Sequence, residues 1–245
     1  MPLTAEDIER NLNAVHGQMH EAARQSGRTI DDIRLIAVSK YMPVRYVQWA
    51  LSAGQHRFGE NTVQEALSKQ EQIKNPDIEW HFIGHLQSNK AKMIAGNIDW
   101  LHTLDSVKLA TRLSTSALNS SRRLNVLLQV NIADDPDKFG LSAAALPQFI
   151  EDILRADLAG IQLRGLMTIG RREATPAERQ ADFAALRDLR EDCIRRFELP
   201  RFNELSMGMS GDFEAAITEG STMVRVGSAL FGPRPTTAAA ASSDI

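Results

Sequence analysis

The chain has 245 residues, 43% of them hydrophobic, with 28 Lys and Arg against 31 Asp and Glu and a formal net charge of -3. That length buries a substantial core and accommodates one α/β barrel or two smaller domains, while the charge excludes bulk attraction to nucleic acid or to an anionic membrane. A single cysteine, Cys193, excludes an internal disulfide and fits a reducing compartment, with the thiol expected in a buried structural role.

The N-terminal segment Met1-Pro2-Leu3-Thr4-Ala5-Glu6-Asp7 has neither a basic nor an apolar leader region, and no apolar run approaches membrane-spanning length. A soluble cytoplasmic protein is expected, a monomer or weak dimer, with no nucleic-acid or membrane partner. Thr4 caps the first helix, with Asp7 in the capping-box position and Leu3 and Ile8 placed as a hydrophobic staple. Ile8, Leu12, Val15 and Met19 then recur at helical spacing.

Strand-like runs alternate with helical ones from there on. They are Ile33 to Ser39, His56 to Phe58, Glu79 to Ile83, Ile98 to Leu101, Leu124 to Ile132, Ile161 to Ile169, Phe202 to Leu205 and Met223 to Val226. Eight strands with intervening helices predict an α/β fold, a single (β/α)8 TIM barrel over residues 1–232 with an extra N-terminal helix. Thr175-Pro176-Ala177-Glu178 is the clearest helix start, and that helix continues through Phe183, Leu186, Leu189 and Ile194. Residues 233–245 have nothing to bury and are expected to form a disordered tail.

In such barrels the functional residues lie at the C-terminal ends of the strands. Strand one ends in Lys40, just before a turn at Tyr41-Met42-Pro43. An amine desolvated there can attack an aldehyde and form a Schiff base, whereas a solvated loop charge is the plainer alternative. Strand seven leads into Ser206-Met207-Gly208-Met209-Ser210-Gly211-Asp212, and strand eight into Val226-Gly227-Ser228. Glycines that admit an anion closely, serine hydroxyls and a helix start near Asp212 match the phosphate site of these barrels; a glycine-rich turn before a capped helix is the alternative. Arg225 stands in an apolar strand, where its guanidinium needs a partner. That partner is either a structural salt bridge or, if a pyridine ring lies between Lys40 and the phosphate site, the ring nitrogen. His81 reads as a barrel-core histidine or a base, Asn61 as a site residue or a helix cap, and Lys90 as a solvated lysine or a rim group. The six histidines show no paired metal-ligand spacing, so no metal is expected.

Taken together, Ala37-Val38-Ser39-Lys40, Phe58-Gly59-Glu60-Asn61-Thr62-Val63-Gln64-Glu65, the stretch from His81 to Lys90, Ser206-Met207-Gly208-Met209-Ser210 and the stretch from Val224 to Gly232 closely resemble the pyridoxal phosphate homeostasis protein family. The resemblance runs from about residue 8 to residue 232. It implies a fold similar to the N-terminal barrel of alanine racemase and pyridoxal 5'-phosphate as a Schiff base on Lys40. It also implies phosphate contacts from Ser206, Ser210 and Gly227 with backbone help near Met207, Arg225 at the pyridine nitrogen, and Asn61 and His81 lining the ring pocket. Tyr41 and Thr62 depart from the family's usual threonine and tyrosine at the rim. Asp135, Lys138 and Gly140 keep a family arrangement with aspartate for glutamate, which makes Lys138 either a second, transient cofactor contact or a solvated lysine.

The expected role is a non-catalytic binding protein in pyridoxal phosphate homeostasis, passing cofactor to pyridoxal-dependent apoenzymes. A pyridoxal-dependent amino-acid racemase or decarboxylase is the alternative; a two-base racemase is disfavoured because this chain stops soon after strand eight, where racemases append a second domain. A barrel enzyme binding a sugar phosphate is the third reading.

Overall fold

All eight apolar runs become parallel strands, and they close into a barrel in sequence order, β1 pairing with β8. The computed structural model describes residues 3–171 and 173–233; the expected tail from 234 onward lies outside the described residues. The strands are β1 (Arg34–Val38), β2 (Arg57–Glu60), β3 (Glu79–Phe82), β4 (Trp100–Leu104), β5 (Leu124–Gln129), β6 (Ile161–Met167), β7 (Glu204–Met209) and β8 (Met223–Val226). Around them run α1 (Ala5–Gln25), α2 (Val44–Ser52), α3 (Val63–Ile73), α4 (Ala91–Ala95), α5 (Val107–Asn119), α6 (Leu146–Arg155), α7 (Pro176–Phe197), α8 (Phe213–Thr218) and α9 (Ser228–Phe231).

The predicted capping boxes form at both long helices. The Thr4 hydroxyl accepts from the Asp7 N–H at 3.2 Å while the Asp7 carboxylate accepts from the Thr4 N–H at 2.9 Å. Thr175 and Glu178 reproduce the pair at 3.2 and 2.7 Å, with Pro176 at the first helical position. α1 buries Ile8, Leu12, Val15 and Met19 and packs against α2, α8 and α9, so the extra helix covers the seam between the first and last units. α7 buries Phe183, Leu186 and Cys193, and burial pushes the Cys193 thiol up to about 11, away from thiolate chemistry.

Two apolar regions result from the period-two alternation of strand side chains. The larger fills the layer between strands and helices. A smaller one, Ile36, Trp100, Leu127, Met167 and Met223, packs inside the barrel. The polar members of the same inward rows complete the interior. Toward the N-terminal end, Glu204 pairs with Arg34 and with Arg164 at 3.4 Å, and both guanidinia lie about 5 Å from the Trp100 ring, at 5.0 and 5.2 Å.

Several strand boundaries differ from expectation, and two of the changes matter for the site. β4 begins at Trp100 and runs to Leu104, and β7 begins at Glu204 and runs to Met209, so His102, Ser206 and Met207 are strand residues. The polar side chains of His102 and Ser206 hid this, because each finds its partners only across the barrel.

β6 carries a bulge in which Leu163 and Gly165 pair with consecutive residues of β5, skipping Arg164. Gly165 has φ +152°, and a Cβ there would stand 1.9 Å from the Glu204 carbonyl oxygen. Gly165→Ala is therefore expected to cost more than about 2 kcal/mol by forcing β7 from β6, against about 1 kcal/mol for the cap deletion Thr175→Ala. Urea unfolding midpoints check the order; equal losses would contradict the close approach.

Candidate functional site

The barrel opens at its C-terminal end into a cavity of about 370 Å³ lined from β1, β2, β3, β6, β7, β8 and the turns that follow them. Val38, Ile83, Met167 and Ile169 supply apolar wall, and Lys40, Asn61, Ser210, Arg225, Gly227 and Ser228 supply the polar groups. A largely apolar cleft with a few convergent polar groups is the usual form of a small-molecule site.

Lys40 follows β1 directly, in a turn closed by the Met42 N–H donating to the Ser39 carbonyl at 3.0 Å. Tyr41 takes φ +64°, in the left-handed region. Across the cavity, the Ser210 hydroxyl accepts the N–H of Gly227 at 3.2 Å and of Ala229 at 3.4 Å. Hydroxyl and main-chain amides therefore converge on one wall. A Cβ at Gly227 would stand 3.2 Å from the Val38 carbonyl oxygen, so the bare backbone is what lets β8 and β1 approach here. Asp212 accepts the Met209 N–H at 2.6 Å and holds the turn that carries Ser210.

Arg225 forms part of the floor and is buried. Its Nη1 donates to Ser206 Oγ at 2.6 Å and its Nη2 to the Thr168 carbonyl at 2.8 Å. Burial lowers its pKa to about 10, with the Asp212 charge opposing the shift, so the guanidinium stays charged at neutral pH. Ser206 Oγ lies 2.8 Å from His102 Nδ1, His102 Nε2 lies 2.9 Å from His81 Nδ1, and His81 Nε2 lies 2.9 Å from Glu79 Oε1. Burial lowers both histidine pKa values, keeping the rings neutral. For Glu79 burial acts upward, but the His81 N–H and the Arg57 and Arg34 charges outweigh it and hold the carboxyl below the usual carboxylate range. An ionised Glu79 accepts and Arg225 can only donate, so every intervening group donates toward Glu79: Ser206 O–H to His102, His102 Nε2–H to His81, His81 Nε2–H to Glu79.

Five of the eight sequence-predicted residues, Lys40, Asn61, Ser210, Arg225 and Gly227, meet in the cavity lining. Three do not. On β3 the alternation turns Glu79, His81 and Ile83 inward at successive heights; Ile83 reaches the cavity, and His81 lies beneath it against His102 and Trp100. Ser206 is fully buried under Arg225. Met207 points outward into the helix layer, its carbonyl accepting from the Ser221 hydroxyl at 2.8 Å. The Ser206 and Met207 displacements follow from β7 running to Met209.

Asn61 is no helix cap: Thr62 caps α3 by accepting the Glu65 N–H. The Asn61 carbonyl instead lies so close to Gly84 that a Cβ there would stand 2.0 Å away. Lys138 donates to the Gly170 carbonyl at 2.7 Å and pairs with Asp135 at 3.2 Å, tying two rim loops together outside the lining. Lys90 ends a short turn, half-buried and also outside it. His102 is the residue that reading the sequence missed; the Trp100-Leu101-His102 alternation places it inward once β4 is extended past Leu101.

The chain matches the family model for the alanine racemase N-terminal domain over residues 11–235. It is 41% identical over 231 residues to the pyridoxal phosphate homeostasis protein of Vibrio alginolyticus, covering 93% of this chain and 97% of that one. Identity to the protein of the same name from Pseudomonas aeruginosa is 43% over 227 residues, covering 93% and 96%. PipY of Synechococcus elongatus, 39% identical, covers 92% of this chain and 100% of its own, with TM-score 0.83 without PLP and 0.79 with PLP bound. An alanine racemase from Clostridium difficile shares the fold, with TM-score 0.74 at 14% identity over 95% of this chain and 58% of that one.

The neutral histidine pair makes stability depend on pH. Both folded pKa values lie below the usual 6.5, so below pH 6.5 the unfolded chain binds more protons and stability falls on acidification. Each histidine contributes a slope of up to about 1.4 kcal/mol per pH unit. His102→Gln is expected to remove about one proton's worth of that slope in urea titrations below pH 6.5; a slope identical to wild type would mean that His102 does not stay neutral.

Proposed function

For a chain that belongs to the pyridoxal phosphate homeostasis proteins, within the alanine racemase N-terminal domain family, we propose that the cavity holds pyridoxal 5'-phosphate reversibly as a Schiff base on Lys40. The observation that carries this reading is the arrangement of one cavity: an amine on β1's turn, and a hydroxyl with main-chain amides after β7 and β8. The residues present fit the group. Apolar Ile83 and Met167 suit the two faces of a flat ring, and the Gly227 backbone, with no Cβ to crowd Val38, suits close approach of an anion. Ser210, whose hydroxyl accepts the Gly227 and Ala229 amides and so keeps its O–H to give, donates to the phosphate beside Gly227, and Asn61 lines the ring pocket.

Bound there, the cofactor supplies an aldehyde to the Lys40 amine. Arg225 then directs a charged donor at the ring nitrogen from below, and a cationic donor keeps that nitrogen unprotonated. A ring so held is a weak electron sink. This favours a non-catalytic cytoplasmic carrier over a racemase or decarboxylase, in keeping with relatives named homeostasis proteins rather than enzymes. Exposed Tyr41, Phe139, Ile169 and Met209 surround the mouth and give recipient apoenzymes an apolar rim for cofactor delivery.

Lys40→Ala is expected to abolish the visible absorbance band on addition of pyridoxal 5'-phosphate and to leave no borohydride-reduced adduct at position 40. Ser210→Ala is expected to weaken binding of 4'-deoxypyridoxine 5'-phosphate, which has the phosphate but no aldehyde, by about tenfold. A persistent band in the lysine variant would rule out Lys40 as the attachment point.

A further inference from the structure

Lys69 lies on α3 yet is only 3% exposed, an unusual place for an ammonium that ordinarily stays in water. Its three N–H donors are all used: Ser39 carbonyl at 2.6 Å, Glu60 Oε1 at 2.8 Å and Glu65 Oε1 at 2.9 Å. Each of those acceptors is tied a second time to the segment that flanks Lys40. The Ser39 carbonyl also accepts the Met42 N–H, Glu60 Oε1 the Ser39 hydroxyl at 2.5 Å, and Glu65 Oε1 the Tyr41 N–H at 2.5 Å.

The segment so gripped adopts a costly shape. A turn closed from residue 39 to residue 42 with φ +64° at its third position favours glycine or asparagine, and here that position is Tyr41. Tyr41 is 52% exposed, so burial of its ring does not offset the cost. Glu60 adds a second cost: its Oε2 is buried with no hydrogen-bond partner among the described residues, which a plain apolar packing of β2 against α3 would avoid. Strain of this kind persists where surrounding structure over-determines it, and it gathers at functional sites.

We propose that Lys69 and Glu65, with Glu60, are positioning residues that clamp the Ser39–Met42 turn and thereby aim the Lys40 amine into the cavity, an inference that rests on the Lys40 reading above. None of the three lines the cavity. Their effect passes through the Ser39 and Tyr41 backbone, so they govern how readily Lys40 captures an aldehyde and leave the phosphate wall untouched.

The test uses the purified full chain and two probes. Pyridoxal 5'-phosphate with borohydride trapping and peptide mapping reports capture at Lys40, and 4'-deoxypyridoxine 5'-phosphate reports the cavity without the aldehyde. Lys69→Met is expected to slow capture by about tenfold or more while binding of the deoxy probe stays within about twofold of wild type. Replacing Tyr41 by glycine in that background removes the strain and is expected to restore capture to within about threefold. If Lys69→Met fails to fold, Glu65→Ala decides, since Glu65 is partly exposed; it releases the Tyr41 N–H and is expected to slow capture about threefold with probe binding unchanged. Wild-type capture rates in the folded variants, or parallel loss of capture and probe binding without rescue by Tyr41→Gly, would overturn the clamp. Wild-type protein that traps nothing at Lys40 would instead sink the reading on which it rests.

Discussion

A guanidinium buried inside a parallel barrel constrains most of what surrounds it. Arg225 cannot be neutralised by shedding its proton at physiological pH and has no carboxylate bonded to it, so hydrogen bonds must hold its charge. Ser206 supplies one from β7, beside β8, and the Thr168 carbonyl the other from the end of β6. Ser206 is in turn fixed by His102, His102 by His81, and His81 by Glu79 near the opposite end. The chain has one sense of donation because its ends admit no other: a cation that only donates and a carboxylate that only accepts. A floor built this way is rigid, and the cavity above it inherits that rigidity.

The mouth is assembled differently. Its polar groups come from turns after separate strands, and each turn is secured by a polar contact of its own. Asp212 holds the β7 turn through the Met209 amide, Lys138 joins two loops through the Gly170 carbonyl, and Lys69 grips the turn after β1. Close backbone approaches at Gly84 and Gly227 draw β2 toward β3 and β8 toward β1, so that Asn61 and the Gly227 amide reach the same cavity as Lys40. The amine and the anion-binding wall thus stand on different elements, and nothing but barrel closure between β8 and β1 brings them together.

Much of this was legible in the chain. The Thr4 and Thr175 capping boxes are local patterns four residues long, and they form as read. Short runs rich in apolar residues mark most of the strands because each strand packs one face against the helix layer. That rule fails where the barrel interior is polar. Trp100-Leu101-His102-Thr103-Leu104 and Glu204-Leu205-Ser206-Met207-Gly208 look like strands that stop early, since nothing nearby explains a buried histidine or serine. With β7 cut at Leu205, Ser206 reads as a loop donor at the mouth, and the family resemblance adds Met207 and His81 to the site.

Local periodicity and end signals by themselves pointed to the barrel, the extra helix and strand ends that carry Lys40, Ser210 and Gly227, whereas Asn61 stayed open between cap and site residue, and Arg225 between salt bridge and ring contact, until the family resemblance assigned them. Periodicity and end signals reach that far because strand direction and turn position are short-range properties. Only the tertiary structure decided which polar side chains are buried and what they do. His102 meets Ser206, 104 residues away in the chain, and Arg225 meets Thr168, 57 away. Lys69 and Glu65, spaced as an ordinary exposed helical pair, become a buried clamp only because α3 packs its ammonium against the turn after β1. Burial of a charge is decided by the groups that come to meet it, and those are set by closure of the barrel rather than by neighbours in sequence.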